Sequence, residues 1–187
     1  MQPQFRRLLI AFLAVLLIGM VIFFVANSRQ KKISEIVPTP TTVELVHRGQ
    51  LSLKPYDNLL RKKLGEEIIF NLTADSSGID VVGYDVLINY KSADINLLSL
   101  TSTIPSFSVY KNQQGDKLAI TGIKKLSSTE SNILKGEKII SLSLKPNKKG
   151  KFTIGLMERA NKETTKFVNE KTKIFYPVLN SVTIEVY

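Results

Sequence analysis

After residue 50, apolar side chains recur at every second position in short runs separated by turn residues. That period restricts the chain to strands burying one face each. Ile68, Phe70 and Leu72 fall on one side of such a strand, Asn71 and Thr73 on the other. Tyr84, Val86, Ile88 and Tyr90 alternate with Asp85, Leu87 and Asn89, and Phe152, Ile154 and Leu156 with Thr153 and Gly155. Leu51–Leu53, Ile95–Leu100, Phe107–Tyr110, Leu118–Ile123, Ile139–Leu144 and Val182–Val186 are further strand candidates, with breaks at Ser76-Ser77-Gly78, Gly115-Asp116, Gly136 and Pro146–Gly150. Only Asn58–Leu64 and Arg159–Asn169 leave room for a turn or two of helix. Many short strands without alternating helices pack as antiparallel sheets face to face. The expected fold of residues 47–187 is therefore all-β, an antiparallel jelly-roll sandwich of about eight or nine strands.

A second feature stands apart. Leu8 to Ala26 carries no charged or strongly polar side chain, and a helix of that length rises about 28 Å, enough to cross the hydrocarbon core of a bilayer. The run exceeds the roughly 7–15 apolar residues of a cleavable signal. Phe24 also stands where a cleavage site before Asn27 wants a small residue. The expectation is a transmembrane α-helix over 8–26, after a basic tail of residues 1–7. A polar linker of residues 27–46 follows, stiffened by Pro38 and Pro40. Arg6 and Arg7 on one side face Arg29, Lys31 and Lys32 on the other, so charge alone does not orient the span.

The formal net charge of +10 is shared between the two parts, with +4 on residues 1–37 and +6 on the remainder. That excess selects no partner by itself. No aromatic residues interleave with Arg61-Lys62-Lys63, Lys124-Lys125 or Lys148-Lys149-Lys151, so these groups read as solvated turns rather than a nucleic-acid track. The absence of cysteine excludes disulfides and thiolate chemistry, and a single histidine, His47, excludes a multi-histidine metal site. Serines and threonines occur without a nucleophile elbow or a partnered base, which argues against an enzyme.

The order of elements resembles the cohesin family and the related carbohydrate-binding modules over roughly residues 50–187. The residues carrying the resemblance are Gly65-Glu66-Glu67-Ile68-Ile69-Phe70-Asn71-Leu72, then Val81-Val82-Gly83-Tyr84-Asp85-Val86-Leu87-Ile88-Asn89-Tyr90, then Ile95–Leu100. Gly136-Glu137-Lys138-Ile139-Ile140-Ser141-Leu142-Ser143-Leu144 followed by Gly150-Lys151-Phe152-Thr153-Ile154 completes the set. Lys91-Ser92 replaces the Asp-Pro usual after the tyrosine, so no role of that aspartate carries over. The resemblance implies a nine-stranded jelly roll on a surface or secreted protein that binds another protein's dockerin through one sheet face.

That resemblance makes the outward residues Asn71, Thr73, Asp85 and Asn89 candidate contact positions, although ordinary solvent-facing strand residues look the same. The chain lacks the D-x-(D/N)-x-(D/N)-G calcium loop of a dockerin, so it would be the receptor half. The expected partners are the lipid bilayer, through Leu8–Ala26, and another surface or secreted protein. Two alternatives stay open: a polysaccharide ligand, and a structural envelope role with no separate ligand. Sugar binding wants exposed flat rings; there is no Trp, and Tyr56, Tyr110 and Tyr176 are the tyrosines available for exposure. No resident cofactor is expected. Asp75, Asp80 and Asp85 are spaced to offer oxygens to a calcium ion, while turn chemistry accounts for Asp75 and Asp80 equally well.

Overall fold

In the strand that begins at Ile68, the side chains of Ile68, Phe70, Leu72 and Ala74 are buried, while Ile69, Asn71, Thr73 and Asp75 are exposed or half-buried. The two-residue period of the sequence thus separates core from surface. A computed structural model describes residues 47–187. The expected transmembrane helix, its basic tail and the linker lie outside the described residues.

Thirteen strands follow one another: β1 (His47–Pro55), β2 (Arg61–Lys62), β3 (Ile68–Asn89), β4 (Ile95–Ser102), β5 (Phe107–Gln114), β6 (Lys117–Lys124) and β7 (Ile133–Pro146), then β8 (Gly150–Met157), β9 (Arg159–Ala160), β10 (Glu163–Thr164), β11 (Lys166–Asn169), β12 (Ile174–Val178) and β13 (Ser181–Val186). The first sheet is β1, the first half of β3, β7 and β4, all antiparallel. The second sheet sets β5 beside β6 and β6 beside the second half of β3. The other edge of that half-strand is shared by β11 along Val81–Asp85 and β8 along Leu87–Asn89. β8 continues to β13 and β2.

β3 passes from one sheet to the other through an arch at Ser76-Ser77-Gly78, where Ser77 and Gly78 take φ of 50° and 79°. The Asp75 carboxylate accepts the Ser77 N–H at 2.7 Å, a local bond that favours the turn. Inside the arch the buried Ser76 hydroxyl donates to the Ile79 carbonyl (2.6 Å) and accepts the Leu134 N–H (3.0 Å).

The structure departs from the sequence expectation in four places. Two pairings are parallel, β1 with β12 and β2 with β13. Each joins strands far apart in sequence whose edges meet as the sandwich closes, so no local crossover is required. No helix occurs among the described residues. Asn58–Leu64 instead forms a strap along the edge of β13: Glu185 N–H donates to the Leu60 carbonyl (2.7 Å), Tyr187 N–H to Lys62 (3.0 Å) and Leu64 N–H to Tyr187 (3.0 Å). Arg159–Asn169 forms the β9–β10 ribbon and β11. A ready sheet edge offers these short segments backbone partners, whereas an isolated turn of helix has an unfavourable nucleus. Gly136 is not a break. β7 runs through it as a bulge, with φ of 86°, between the pairs Ala74↔Glu137 and Asp75↔Lys135.

Facing halves of the sandwich supply one core: Leu51, Leu53, Phe70, Leu72, Leu142 and Leu144 from the first sheet meet Tyr84, Val86, Ile88, Leu118, Ile154 and Phe167 from the second. Each such side chain contributes roughly 1.5–3 kcal/mol by leaving water. The core cluster runs from Leu51 to Val186, so residues 47–187 carry a complete hydrophobic interior. His47 enters beside the arch, where Arg48 donates to the Ser77 carbonyl (3.0 Å). Tyr187 ends at the opposite, strap end, near the Gly65–Pro146 bond.

Candidate functional site

The outer face of the second sheet is built by residues one step out of phase with the core. Along β3 these are Gly83, Asp85, Leu87 and Asn89; along β6, Lys117, Ala119, Thr121 and Ile123. The register aligns them in rows: Tyr110, Thr121, Asp85 and Lys166 form one, and Ser108, Ile123, Gly83 and Val168 the next. Asp85 accepts the Thr121 hydroxyl at 2.7 Å and pairs with the Lys166 ammonium at 3.1 Å. Three strands are thereby tied together across the face.

One part of this face is roofed. Between β8 and β11 the chain leaves the sheet at Glu158 and returns at Thr165, whose N–H donates to the Glu158 carbonyl (2.9 Å). The excursion carries the β9–β10 ribbon and forms a flap. Its departure would orphan the Leu87 N–H, which the Thr165 hydroxyl accepts at 3.0 Å while donating to the Met157 carbonyl at 2.5 Å. Glu163 on the flap pairs with Lys117 on β6 at 2.6 Å. Asp85, Leu87, Ala119, Thr121 and the flap line a small cleft of about 170 Å³. This explains why Leu87, on the outward side of its strand, is nevertheless buried.

Beyond the flap the face is open, and it presents Tyr110 and Ile123, 61% and 51% exposed. They are diagonal neighbours on adjacent strands, close enough to form one apolar spot. The Asp85–Lys166 and Lys117–Glu163 pairs beside it are internally balanced. The arrangement suits recognition by shape and apolar contact, with polar groups at the margin.

The four sequence-predicted contact residues do not share this face. Asp85 and Asn89 lie on it, whereas Asn71 and Thr73 point outward from the first sheet, because the arch intervenes between them. There Thr73 donates to the Ser52 carbonyl (3.3 Å), and the Asn71 Oδ1 has no hydrogen-bond partner. Ile123 and Lys166 are not among the residues expected from the sequence, and Tyr110 is expected only as a ring available for sugar stacking. Ile123 carries a readable signal, being out of phase with the buried Leu118 and Ile120 of its own strand.

The three aspartates considered for calcium are dispersed among separate tasks. Asp75 serves the arch, Asp85 the Lys166 pair, and Asp80 accepts the Asn132 N–H at 2.8 Å. Burial pushes the Asp80 carboxyl up, but the Asn132 N–H, the Ser131 hydroxyl and Lys124 outweigh it and hold its pKa below the ordinary value. Among the described residues no group of three or more His, Cys, Asp or Glu is placed to hold a metal ion. Ser92 donates both its N–H (2.9 Å) and its hydroxyl (2.8 Å) to Asp116.

Tyr84 and Tyr90 are core residues, Tyr176 is half-buried, and the exposed Tyr56 and Tyr110 lie apart, Tyr56 bonded to Ile69 beside the first sheet and Tyr110 on the second. The three tyrosines considered for sugar stacking therefore do not come together on one surface. The basic group at 61–63 is not simply solvated. Lys62 is 4% exposed, its ammonium bonded to Asp57 with Glu66 at 3.9 Å, because the strap folds it inward.

Neither a family model nor a curated sequence matches the chain. Solved structures do. A cohesin module from a Clostridium perfringens family 33 glycoside hydrolase superimposes with a TM-score of 0.63 at 16% identity, covering 75% of this chain and 98% of that one. The fold is that of a cohesin module. A type I cohesin–dockerin complex from Clostridium thermocellum gives 0.59 at 14% identity, covering 75% of this chain and 100% of that one. A non-cellulosomal cohesin from the archaeon Archaeoglobus fulgidus gives 0.56 at 8% identity, with 75% and 91% covered. The cohesin-like domain thus accounts for the described part of the chain.

Proposed function

We propose that the cohesin-like domain is a noncovalent receptor for another protein, and that it takes a dockerin-type module on the outer face of the second sheet. The observation carrying this reading is the open apolar spot of Tyr110 and Ile123 beside the flap, bordered by already neutralised charge pairs. A partner that covers it removes apolar area from water without burying an unpaired charge. The structural neighbours include cohesins solved in complex with dockerins, which favours a protein over a polysaccharide as the ligand.

In the same reading Leu8–Ala26 anchors the chain in a membrane and the linker displays the domain outside it. Tethering then raises the local concentration of the receptor near neighbouring surface molecules. Carbonate extraction of the intact protein from membranes tests the anchor, and release into the supernatant would remove it from the proposal.

For the receptor role, residues 47–187 are immobilised and presented with the secreted proteins of the producing cell. Retention of a protein with dockerin calcium loops, lost on Ile123→Glu, supports it. Retention that survives Ile123→Glu and Tyr110→Ala, or binding to glycans alone, refutes it.

A further inference from the structure

A second exposed apolar surface lies at the strap end, away from the Tyr110–Ile123 face. Tyr56, Leu59, Leu60 and Leu64 on the strap, Ile69 at the start of β3 and the final Tyr187 are all exposed. They are stitched to one another through the backbone: Tyr56 N–H donates to the Ile69 carbonyl (2.7 Å), and Leu64 N–H to the Tyr187 carbonyl (3.0 Å). Chance scatter of surface apolar residues is normal, but six gathered on one strap and its two neighbours form a patch.

The charges around the patch are asymmetric. Three of its four acids are ion-paired, Asp57 and Glu66 with the buried Lys62 and Glu185 with Arg61 at 3.2 Å, while Glu67 accepts the Ser143 hydroxyl at 2.5 Å and keeps its charge. Its other lysines are not ion-paired. Lys54 on β1, Lys63 on the strap, Lys145 beside Gly65 and Lys151 opposite Glu185 have no carboxylate within 4.0 Å among the described residues. Arg61 also lies over the Tyr187 ring, 5.2 Å from its centre. The result is leucine side chains on an edge strap, flanked by two tyrosines and bordered by ammonium groups without a carboxylate partner.

We propose that the strap end docks on an anionic lipid bilayer surface. Exposed leucines of the strap enter the boundary between headgroups and acyl chains, and tyrosines favour that same depth. Lysine stems lie along the apolar surface while their heads reach lipid phosphates. A protein partner would need a counterpart shaped to this strap, whereas a bilayer accepts exposed side chains as they are. The surface stands whether or not the Tyr110–Ile123 face binds a dockerin, since the two share no residue.

The test is co-sedimentation of residues 47–187, free of the apolar N-terminal run, with phosphatidylcholine vesicles with and without phosphatidylglycerol. Binding is expected only with phosphatidylglycerol and should weaken as salt rises. Leu59→Ser with Leu60→Ser should weaken it about tenfold or more, and Lys63→Ala or Lys145→Ala about fivefold each. All four positions are exposed, so circular dichroism and melting should be unchanged. Leu126→Ser, at a fully exposed leucine after β6, should leave vesicle binding intact. No binding to either vesicle, equal binding to both, or binding indifferent to the double leucine variant would each overturn the proposal.

Discussion

The Tyr84 ring lies directly on Gly122: a Cβ built at residue 122 would come within 2.1 Å of the Tyr84 Cζ. The two residues face each other across the β3–β6 ladder, and the missing side chain is what lets a full tyrosine turn into the core there. Gly122→Ala therefore forces either the ring or the strand to move. It should cost about 1–3 kcal/mol, read as a lower urea midpoint with an unchanged slope.

The Tyr84 hydroxyl behaves differently from its ring. Buried, with no hydrogen-bond partner, it has its pKa pushed up by desolvation alone. Removing an unsatisfied buried hydroxyl while keeping the ring is neutral or favourable. Tyr84→Phe should match or exceed the parent in stability, by up to about 1 kcal/mol, in the same urea titration.

Ser76→Ala should do the reverse. The substitution strips the arch of a donor to Ile79 and an acceptor for Leu134. A loss of about 1–3 kcal/mol is expected, together with faster amide exchange at Leu134.

Asp80 links stability to acidity. Its folded pKa lies below the ordinary aspartate value of 3.8, so its contribution is complete above that pH and fades as pH falls through the folded value. Asp80→Asn should melt lower than the parent near neutrality, by about 2–8 °C for a loss near 1 kcal/mol. Thermal scans across acid pH should show the gap closing below pH 3.8.

The sheets were legible because one face of each strand is buried, which writes a two-residue period into the sequence. Tyr84, Val86 and Ile88 point inward as that period requires. The period fails at Leu87, where the flap covers an outward side chain, and at Lys62, where the strap buries a cation against Asp57. Both exceptions depend on pairings between distant segments, which local alternation does not encode. The face proposed for partner contact is half legible in the sequence. Asp85 and Asn89 were reachable by phase, but Asn71 and Thr73 were grouped with them because a Ser-Ser-Gly break reads the same whether the chain turns within a sheet or arches between two.

The arch and the strap also set the direction in which the domain meets force. The chain enters beside Ser77 and ends beside Leu64, at opposite ends of the sandwich. Tension between His47 and Tyr187 therefore runs along the strands. β1 slides past β3, to which it is joined from Gln50 to Pro55, and past β12, and β13 slides past β8 and β2. The ladder bonds are loaded in shear and must give way together instead of unzipping singly.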